Sequence, residues 1–299
     1  MAPGGRVTAE RMKKIAEMAE KYGQGFMHLS VRMSPEIPYV DLKDVESLAA
    51  ELAEVGQRIA SCGKRVRVPT ACGGCEYNPN GITDTQRFAR ETNDRYFGMD
   101  HFHKFKISFS GCPIDCMRTR EMDLGFQGQV EPELFEDECI GCTLCAEACE
   151  DDAMVMDPDR SGPLATTLPV YDPDRCISCG DCIKVCPTDA LLEKRKGHAV
   201  YAGGKHGKHP HVAYPLAEFV PDDQVFTVLE KVMEWYRANG KERERIGVTI
   251  DRVGINSLRR ALAEVIPQNV IRPDELAKPR WQNVFWRGVH VALPEYEAL

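Results

Sequence analysis

Eight cysteines between residues 139 and 186 form two runs with the same spacing. Both runs have the pattern C-x2-C-x2-C-x3-C, and they contain Cys139, Cys142, Cys145 and Cys149, then Cys176, Cys179, Cys182 and Cys186. Thiolates this close in sequence wrap iron–sulfur cubes when three of them take one cluster and the fourth reaches the other. The spacing predicts two [4Fe-4S] clusters, one held by Cys139, Cys142, Cys145 and Cys186 and the other by Cys176, Cys179, Cys182 and Cys149.

The second run repeats the first at an offset of 37 residues, from Cys139 to Cys176, which indicates an internal duplication. Asp152-Ala153 recurs in the same way as Asp189-Ala190. The alternative is a pair of zinc sites, but zinc usually takes two well-separated C-x2-C pairs or adds histidine. Neither run has that form. The segment is therefore predicted to be a two-cluster ferredoxin, which carries electrons and leaves their destination to the rest of the chain.

Four further cysteines form two short pairs in glycine-rich turns, Cys72 with Cys75 and Cys112 with Cys116. They are enough for one more cluster, and this interpretation is preferred over buried free thiols because the pairs accompany a ferredoxin segment. The remaining cysteine, Cys62, stands alone. A lone cysteine is expected to pack as a small buried hydrophobic residue.

The composition is that of an ordinary soluble globular protein. The chain has 299 residues, of which 43% are hydrophobic and 28% charged, with a net charge of −8. No apolar run is long enough to span a membrane and no signal-peptide core is present, so a cytoplasmic location is expected. The acidic balance argues against general nucleic-acid binding. Any anion site must be a local concentration of cations.

The pattern of apolar residues predicts alternating helices and strands, hence an α+β fold. The first 71 residues are predicted to form a helix over 8–22, a strand over 25–32, a helix capped by Asp41 or Asp44 and a strand over 65–71. Before the ferredoxin segment we expect a helix capped within Thr83–Thr85, a strand over 104–110 with both lysines on one face, and a helix start at Pro113. After it we expect a strand over 199–202, a basic loop over 203–211, a strand over 212–220, a helix over 222–239 and a last helix capped by Asn256 or Ser257. Trp281, Phe285 and Trp286 near the carboxyl end are expected to be packed.

These motifs resemble the sirohaem-dependent sulfite and nitrite reductases. The resemblance rests on Ala71-Cys72, Thr83-Asp84-Thr85, Lys104-Phe105-Lys106, Gly111-Cys112-Pro113-x-x-Cys116, Asp123-Leu124-Gly125 and a half-domain strand at residues 25–32. A ferredoxin segment after C-x3-C is similar to dissimilatory sulfite reductase subunits and to the C subunit of anaerobic sulfite reductase. The resemblance implies a ferredoxin-like half-domain at 1–66, a sirohaem and [4Fe-4S] domain at 67–133 and 195–299, and the insert at 134–194.

The same resemblance implies roles for individual residues. Cys116 would ligate the third cluster and bridge to sirohaem, and the basic substrate-contacting residues would be Arg32, Arg67, Lys104 and Lys106. Lys205, Lys208 and His211 would contact sirohaem carboxylates, unless they form only a surface loop or a separate metal site. The lysines, taken alone, would be the solvated face of a strand. One departure is Asn78, where the family's C-x5-C spacing calls for a cysteine that this chain offers at Cys75 instead.

The expected function is reduction of sulfite to sulfide by six electrons at sirohaem joined to a [4Fe-4S] cluster, with two further clusters feeding it. Nitrite reduction or the reverse, oxidative direction are alternatives, because cluster potentials span a wide range. A different alternative is an electron-transfer or structural subunit without active sirohaem. The expected partners are a small anionic substrate, an electron donor and further copies or subunits in an oligomer.

Overall fold

The structure, a computed structural model, describes residues 1–60, 62–162 and 166–271. The expected packing of Trp281, Phe285 and Trp286 lies outside these residues. The elements in chain order are α1 Ala9–Tyr22, β1 His28–Leu29, β2 Pro35–Glu36, α2 Val45–Glu54, β3 Thr70–Ala71, α3 Gly74–Tyr77, α4 Thr85–Tyr96, β4 Ile107–Ser110, β5 Leu124–Leu134, α5 Leu144–Glu147, β6 Met154–Ser161, β7 Thr167–Tyr171, α6 Asp181–Lys184, β8 Leu191–Ala202, β9 Tyr214–Val220, α7 Val225–Asn239, α8 Ile246–Val253 and α9 Ile255–Leu262.

The amino-terminal unit consists of two packed helices and a short hairpin. Helices α1 and α2 bury a small core of Ile15, Met18, Leu48 and Leu52. Thr8 caps α1 by accepting a hydrogen bond from the Arg11 N–H at 3.3 Å. The strand predicted over 25–32 is wrong in length, since only His28–Leu29 pairs with β2.

Local turn chemistry explains that shorter strand and corrects the expected cap of α2. The Ser34 N–H donates to the Ser30 hydroxyl at 3.2 Å, which closes a turn and reverses the chain. Asp41 and Asp44 precede the helical residues, but neither side chain makes a capping hydrogen bond. A 3-10 turn over Leu42–Asp44 leads into α2 instead.

A five-stranded mixed sheet forms the main body, with strand order β3-β4-β5-β8-β9. Strands β3, β4 and β5 are parallel, whereas β5 with β8 and β8 with β9 are antiparallel. Phe88 of α4 stacks on Phe109, which stacks in turn on Phe126 at 5.1 Å. The solvated strand face considered for Lys104 and Lys106 is absent here, because β4 begins only at Ile107 and all four of its residues are buried.

Residues 135–190 project from the long β5–β8 pair, which joins Leu134 to Leu191 at its far end. Within them the hairpin β6–β7 packs beside the single-turn helices α5 and α6. Left-handed backbone conformations occur at Gly141, Thr143 and Asp152, and again 37 positions later at Ser178, Gly180 and Asp189. The backbone therefore repeats the duplication that the sequence indicated.

The carboxyl-terminal helices differ from the sequence prediction. Gly254, with φ +93°, separates α8 from α9, so that α9 begins without a side-chain cap. Asn256 and Ser257 lie inside α9, where the Ser257 hydroxyl accepts the Trp235 indole N–H at 3.1 Å. Among the described residues, no helix is both long and apolar enough to cross a membrane.

Candidate functional site

A cavity of about 820 Å³ lies between the amino-terminal unit and the sheet. The residues that line it are Ser30, Val31, Arg32, Thr70, Lys106, Cys116, Met117, Arg118, Met122 and His206. Five separate segments of sequence therefore meet at one place. Three of the residues singled out from sequence, Arg32, Lys106 and Cys116, face this cavity.

The basic residues expected at the site lie close enough that their charges affect one another's pKa. Burial lowers the pKa of Lys106, and the charges of Arg245, Arg32 and Lys104 lower it further. Burial also lowers the pKa of Arg32, followed by the charge of Arg67. Arg67 is buried and donates from Nη2 to the Gly63 carbonyl at 2.8 Å. Arg67 and Lys104 thus stand behind the residues that line the cavity.

A buried ion pair fixes the backbone that carries Lys106. The Asp123 carboxylate accepts two hydrogen bonds from Arg245, at 2.7 Å from Nε and 2.6 Å from Nη2. Its Oδ2 also accepts the Lys106 backbone N–H at 2.9 Å. Burial raises the pKa of Asp123, and the guanidinium of Arg245 opposes that rise. Arg245 gave no signal in the sequence analysis because it lies far from every motif.

Cys72 and Cys112 lie in two loops that pack tightly on each other. The Cys72 sulfur accepts the Gly111 N–H at 3.1 Å and the Gly74 N–H at 3.4 Å. Burial raises the pKa of Cys112, and the neighbouring Cys72 and Cys116 thiols add to the rise. Backbone N–H groups directed at sulfur are typical of cluster ligands. These three thiols therefore form one group.

Glycines make this loop packing possible. A Cβ at Gly81 would lie 2.1 Å from the Gly74 carbonyl oxygen, and a Cβ at Gly128 would lie 2.2 Å from that of Gly111. Cys75 is exposed in α3, where its N–H donates to the Thr83 carbonyl at 3.1 Å. Asn78 follows α3, and its side-chain oxygen accepts the Asn80 N–H at 3.0 Å.

The helix predicted to start at Pro113 is not formed, and residues 112–118 make successive turns. Asp115 and Arg118 have left-handed backbones, with φ +56° and +53°. The Asp115 carboxylate accepts hydrogen bonds from the Ser110 hydroxyl at 2.8 Å and the Thr119 N–H at 2.9 Å, which stabilises the turns. The result presents Cys116 and Arg118, both exposed, to the cavity. Arg118 was missed from sequence, although it follows Cys116 by two positions.

The eight cysteines of residues 139–186 form two groups. Cys139, Cys142, Cys145 and Cys186 line one small cavity. Burial raises the pKa of Cys182 to about 12, and the thiols of Cys179, Cys176, Cys149 and Cys145 contribute. The division of these thiols between two clusters stays a prediction from the spacing. Among the described residues, no group of three His, Cys, Asp or Glu side chains is arranged to hold a single metal ion.

The second group lies against the sheet and the Cys112 loop. The Val130 N–H of β5 donates to the Ser178 carbonyl at 3.0 Å, between Cys176 and Cys179. The ammonium group of Lys184, at the end of α6, lies 3.2 Å from the side-chain oxygen of Asn80. By contrast, Cys139 of the first group packs with Leu168 of β7. The first group therefore lies nearer the hairpin β6–β7, and the second group lies nearer the loops around Cys72 and Cys112.

The glycine-rich basic loop reaches the cavity through a residue that the sequence analysis did not select. His206 lines the cavity and pairs with Glu121. Lys205, Lys208 and His211 are not among the lining residues. The imidazole of His211 instead lies 3.0 Å from the Gly203 carbonyl and 3.3 Å from an Asp251 carboxylate oxygen.

Cys62 is exposed, so the prediction that it packs as a buried thiol is wrong. It precedes Gly63, whose backbone is left-handed, in the connection between α2 and β3. A surface loop offers no apolar surroundings to bury the thiol. Its charge nevertheless acts on Arg32, so it lies near the cavity.

Two protein-family models together match nearly all of the described residues. The family model for the nitrite and sulphite reductase 4Fe-4S domain matches residues 62–270. The model for the nitrite/sulfite reductase ferredoxin-like half domain matches residues 1–55. The match to an iron–sulfur domain covers all thirteen cysteines and every residue that lines the cavity from the sheet side.

Two curated relatives and one solved structure are similar to this chain. The coenzyme F420-dependent sulfite reductase of Methanocaldococcus jannaschii is 34% identical over 270 residues, which are 90% of this chain and 42% of that protein. The C subunit of anaerobic sulfite reductase from Salmonella typhimurium is 28% identical over 166 residues, 51% of this chain and 49% of that one. The crystal structure of dissimilatory sulfite reductase I shares the fold, with a TM-score of 0.70, 21% identity, and coverage of 91% of this chain and 70% of that one. The chain thus spans less than half the length of both curated relatives.

Proposed function

Since the chain belongs to the nitrite and sulphite reductase family, we propose that it reduces sulfite to sulfide at a sirohaem joined to a [4Fe-4S] cluster. The observation that carries the proposal is the shared cavity, where Cys116 of the cluster group stands with Arg32 and Lys106. A thiol and two cations around one space suit an iron cofactor and an anionic substrate. Its volume of about 820 Å³ lies within the range of cofactor pockets.

The residues present fit the implied cofactors. Cys72, Cys112 and Cys116, with Cys75 as the fourth ligand, would hold the cluster, and Cys116 would bridge to sirohaem. Arg118 and His206 at the cavity would pair with the carboxylates of that macrocycle. Lys205, Lys208 and His211 belong to the same basic loop as His206. When bound, the sirohaem and the cluster would supply the one-electron reduction chemistry that sulfite needs.

The protein's own residues bind and orient the substrate. Arg32 and Lys106 attract the anion and stabilise the charge that develops on oxygen as each S–O bond breaks, and Lys104 and Arg67 reinforce their field. Each oxygen leaves as water and needs protons, which Lys106 can deliver through its ammonium group. The buried pair of Asp123 and Arg245 keeps Lys106 in place.

Electrons would reach the site through the eight cysteines of the ferredoxin-like insert at 134–194. The group of Cys139, Cys142, Cys145 and Cys186 is the outer one and would accept electrons from a donor. The group of Cys149, Cys176, Cys179 and Cys182 would be the inner one, because Lys184 contacts Asn80 in the loop after α3 and Ser178 accepts a hydrogen bond from Val130 of β5. The total is three [4Fe-4S] clusters. A donor protein and an oligomer are proposed, since the curated relatives are longer or are named as parts of an assembly.

Two other functions remain candidates. Nitrite is also a small anion, and the family includes nitrite reductases. An electron-transfer protein without active sirohaem is favoured by Asn78, which replaces the family cysteine, and by the exposure of Cys75.

Purification without oxygen, followed by iron analysis, visible spectroscopy and parallel sulfite and nitrite assays, separates these functions. About twelve irons per chain with sirohaem bands and sulfite turnover support the proposal, on four irons per cluster. About eight irons and no macrocycle bands identify an electron carrier. Faster turnover with nitrite than with sulfite reassigns the substrate.

A further inference from the structure

A second cavity, of about 380 Å³, lies on the other side of the amino-terminal unit and is lined by arginines. The residues that line it are Met1, Pro3, Arg6, Thr8, Arg11, Gly56, Gln57, Arg58, Arg90, Asn93 and Asp94. It shares none of these with the cavity of Cys116. We propose that this cavity binds a small phosphorylated compound, whose phosphate group contacts Arg11, Arg58 and Arg90.

The charges around the cavity do not balance. Arg6 pairs with Glu76 at 2.5 Å. Within the described ranges, Arg11, Arg58 and Arg90 have no carboxylate within ion-pair distance, and Asp94 has no cation within that distance. Like charges held close together repel, and a bound anion offsets that repulsion. A chain with a net charge of −8 concentrates cations here against its overall sign.

The arginines are held in place by neutral contacts that leave their charge available. Arg11 donates from Nε to the Val55 carbonyl at 3.1 Å. The guanidinium of Arg58 lies 5.8 Å from the centre of the Phe97 ring. Planar guanidinium groups match the oxygens of phosphate with paired hydrogen bonds, which makes arginine the usual residue for this recognition.

A buried amide and a carboxylate stand beside Arg90 on the same helix. Asn93 is only 4% exposed, and its Oδ1 atom has no hydrogen-bond partner among the described residues. Arg90, Asn93 and Asp94 lie three and four residues apart on α4, so they share the face that lines the cavity. The cavity exceeds the space of one phosphate, so the ligand has a further body.

Titration calorimetry on the full chain, with its iron–sulfur centres intact and at fixed ionic strength, tests the site with pyrophosphate as the probe and citrate as a carboxylate of similar charge. We expect one pyrophosphate per chain and at least tenfold weaker binding of citrate. The double variant Arg58→Gln/Arg90→Gln should weaken pyrophosphate binding at least tenfold. Arg95→Gln, on the same helix but paired with Glu91, should leave it unchanged.

The remaining outcomes also decide the question. Lys106→Ala should not change the affinity for pyrophosphate, and saturating sulfite should not displace it, because the two cavities share no residue. Displacement by sulfite would place the anion in the first cavity and overturn the proposal. Equal affinity for citrate would overturn the assignment to phosphate, and an absence of binding heat would overturn the site itself. Unchanged unfolding temperatures of the ligand-free variants show that they fold.

Discussion

The ammonium nitrogen of Lys184 lies 3.2 Å from the side-chain oxygen of Asn80. Asp181 of the same short helix accepts the same ammonium at 2.9 Å. The charge of Lys184 also acts on the Cys112 thiol, where it opposes the rise in pKa caused by burial. One cation therefore connects the inner group of ferredoxin-type cysteines to the loops around Cys72 and Cys112.

Replacing this cation should slow electron delivery. In Lys184→Met, loss of a positive charge near Cys112 should lower the reduction potential of the adjacent cluster, because its reduced form carries more negative charge. An interaction of about 1 kcal/mol corresponds to roughly 40 mV for one electron. Redox titration followed by electron paramagnetic resonance measures the shift. Lys194→Met, which removes an exposed lysine paired with Glu131, is the control. Equal potentials in all three proteins would contradict the role of Lys184.

Lys106→Ala should lower turnover with sulfite by about 100-fold while the iron content and visible spectrum stay intact. Removal of a single donor to developing charge has effects of about this size. Lys106→Arg keeps the charge and should retain more activity than the alanine variant. Lys196→Ala, which removes an exposed lysine of β8, serves as the control. Unchanged turnover in Lys106→Ala would show that Lys106 takes no part in the reaction.

Asp123→Ala should destabilise the protein by about 3–5 kcal/mol, because it leaves the guanidinium of Arg245 buried without a counter-charge. It should also reduce turnover, since the Lys106 backbone loses its hydrogen bond. Thermal unfolding followed by circular dichroism measures the first effect. Glu242→Ala, which breaks an exposed pair with Lys64, should cost less than about 1 kcal/mol. Similar losses in the two variants would mean that the buried pair has no special role.

Cys75→Ala should remove about four irons per chain if Cys75 replaces the family cysteine expected at Asn78. Cys62→Ala should keep the full iron content, because Cys62 lies outside the predicted ligand sets. Asn78→Cys combined with Cys75→Ala should restore the lost iron. If Cys75→Ala retains all its iron, the cluster has another fourth ligand.

Local sequence was enough to predict the features that depend on neighbouring residues. Asp84 caps α4 within the predicted Thr83–Thr85 segment, and α1 spans nearly the residues predicted for it, since a cap and an apolar stripe are local features. The duplication indicated by the cysteine spacing is confirmed by the backbone, whose left-handed positions recur 37 residues later, because short turns are fixed by their own residues. The family resemblance, carried by motifs such as Lys104-Phe105-Lys106, is confirmed by the matched domains.

Contacts between distant segments were decided only by the tertiary structure. Arg245, which precedes α8, pairs with Asp123, which precedes β5, across 122 residues of sequence, and no motif of either segment encodes that contact. The same holds for His206 and Arg118 at the first cavity and for the arginines around Asn93 at the second. The sequence by itself determined which chemical groups the protein carries and the local turns that hold them. Which groups share a cavity depends on how the amino-terminal unit, the sheet and the helices bury their apolar faces together, and that balance is a property of the whole chain.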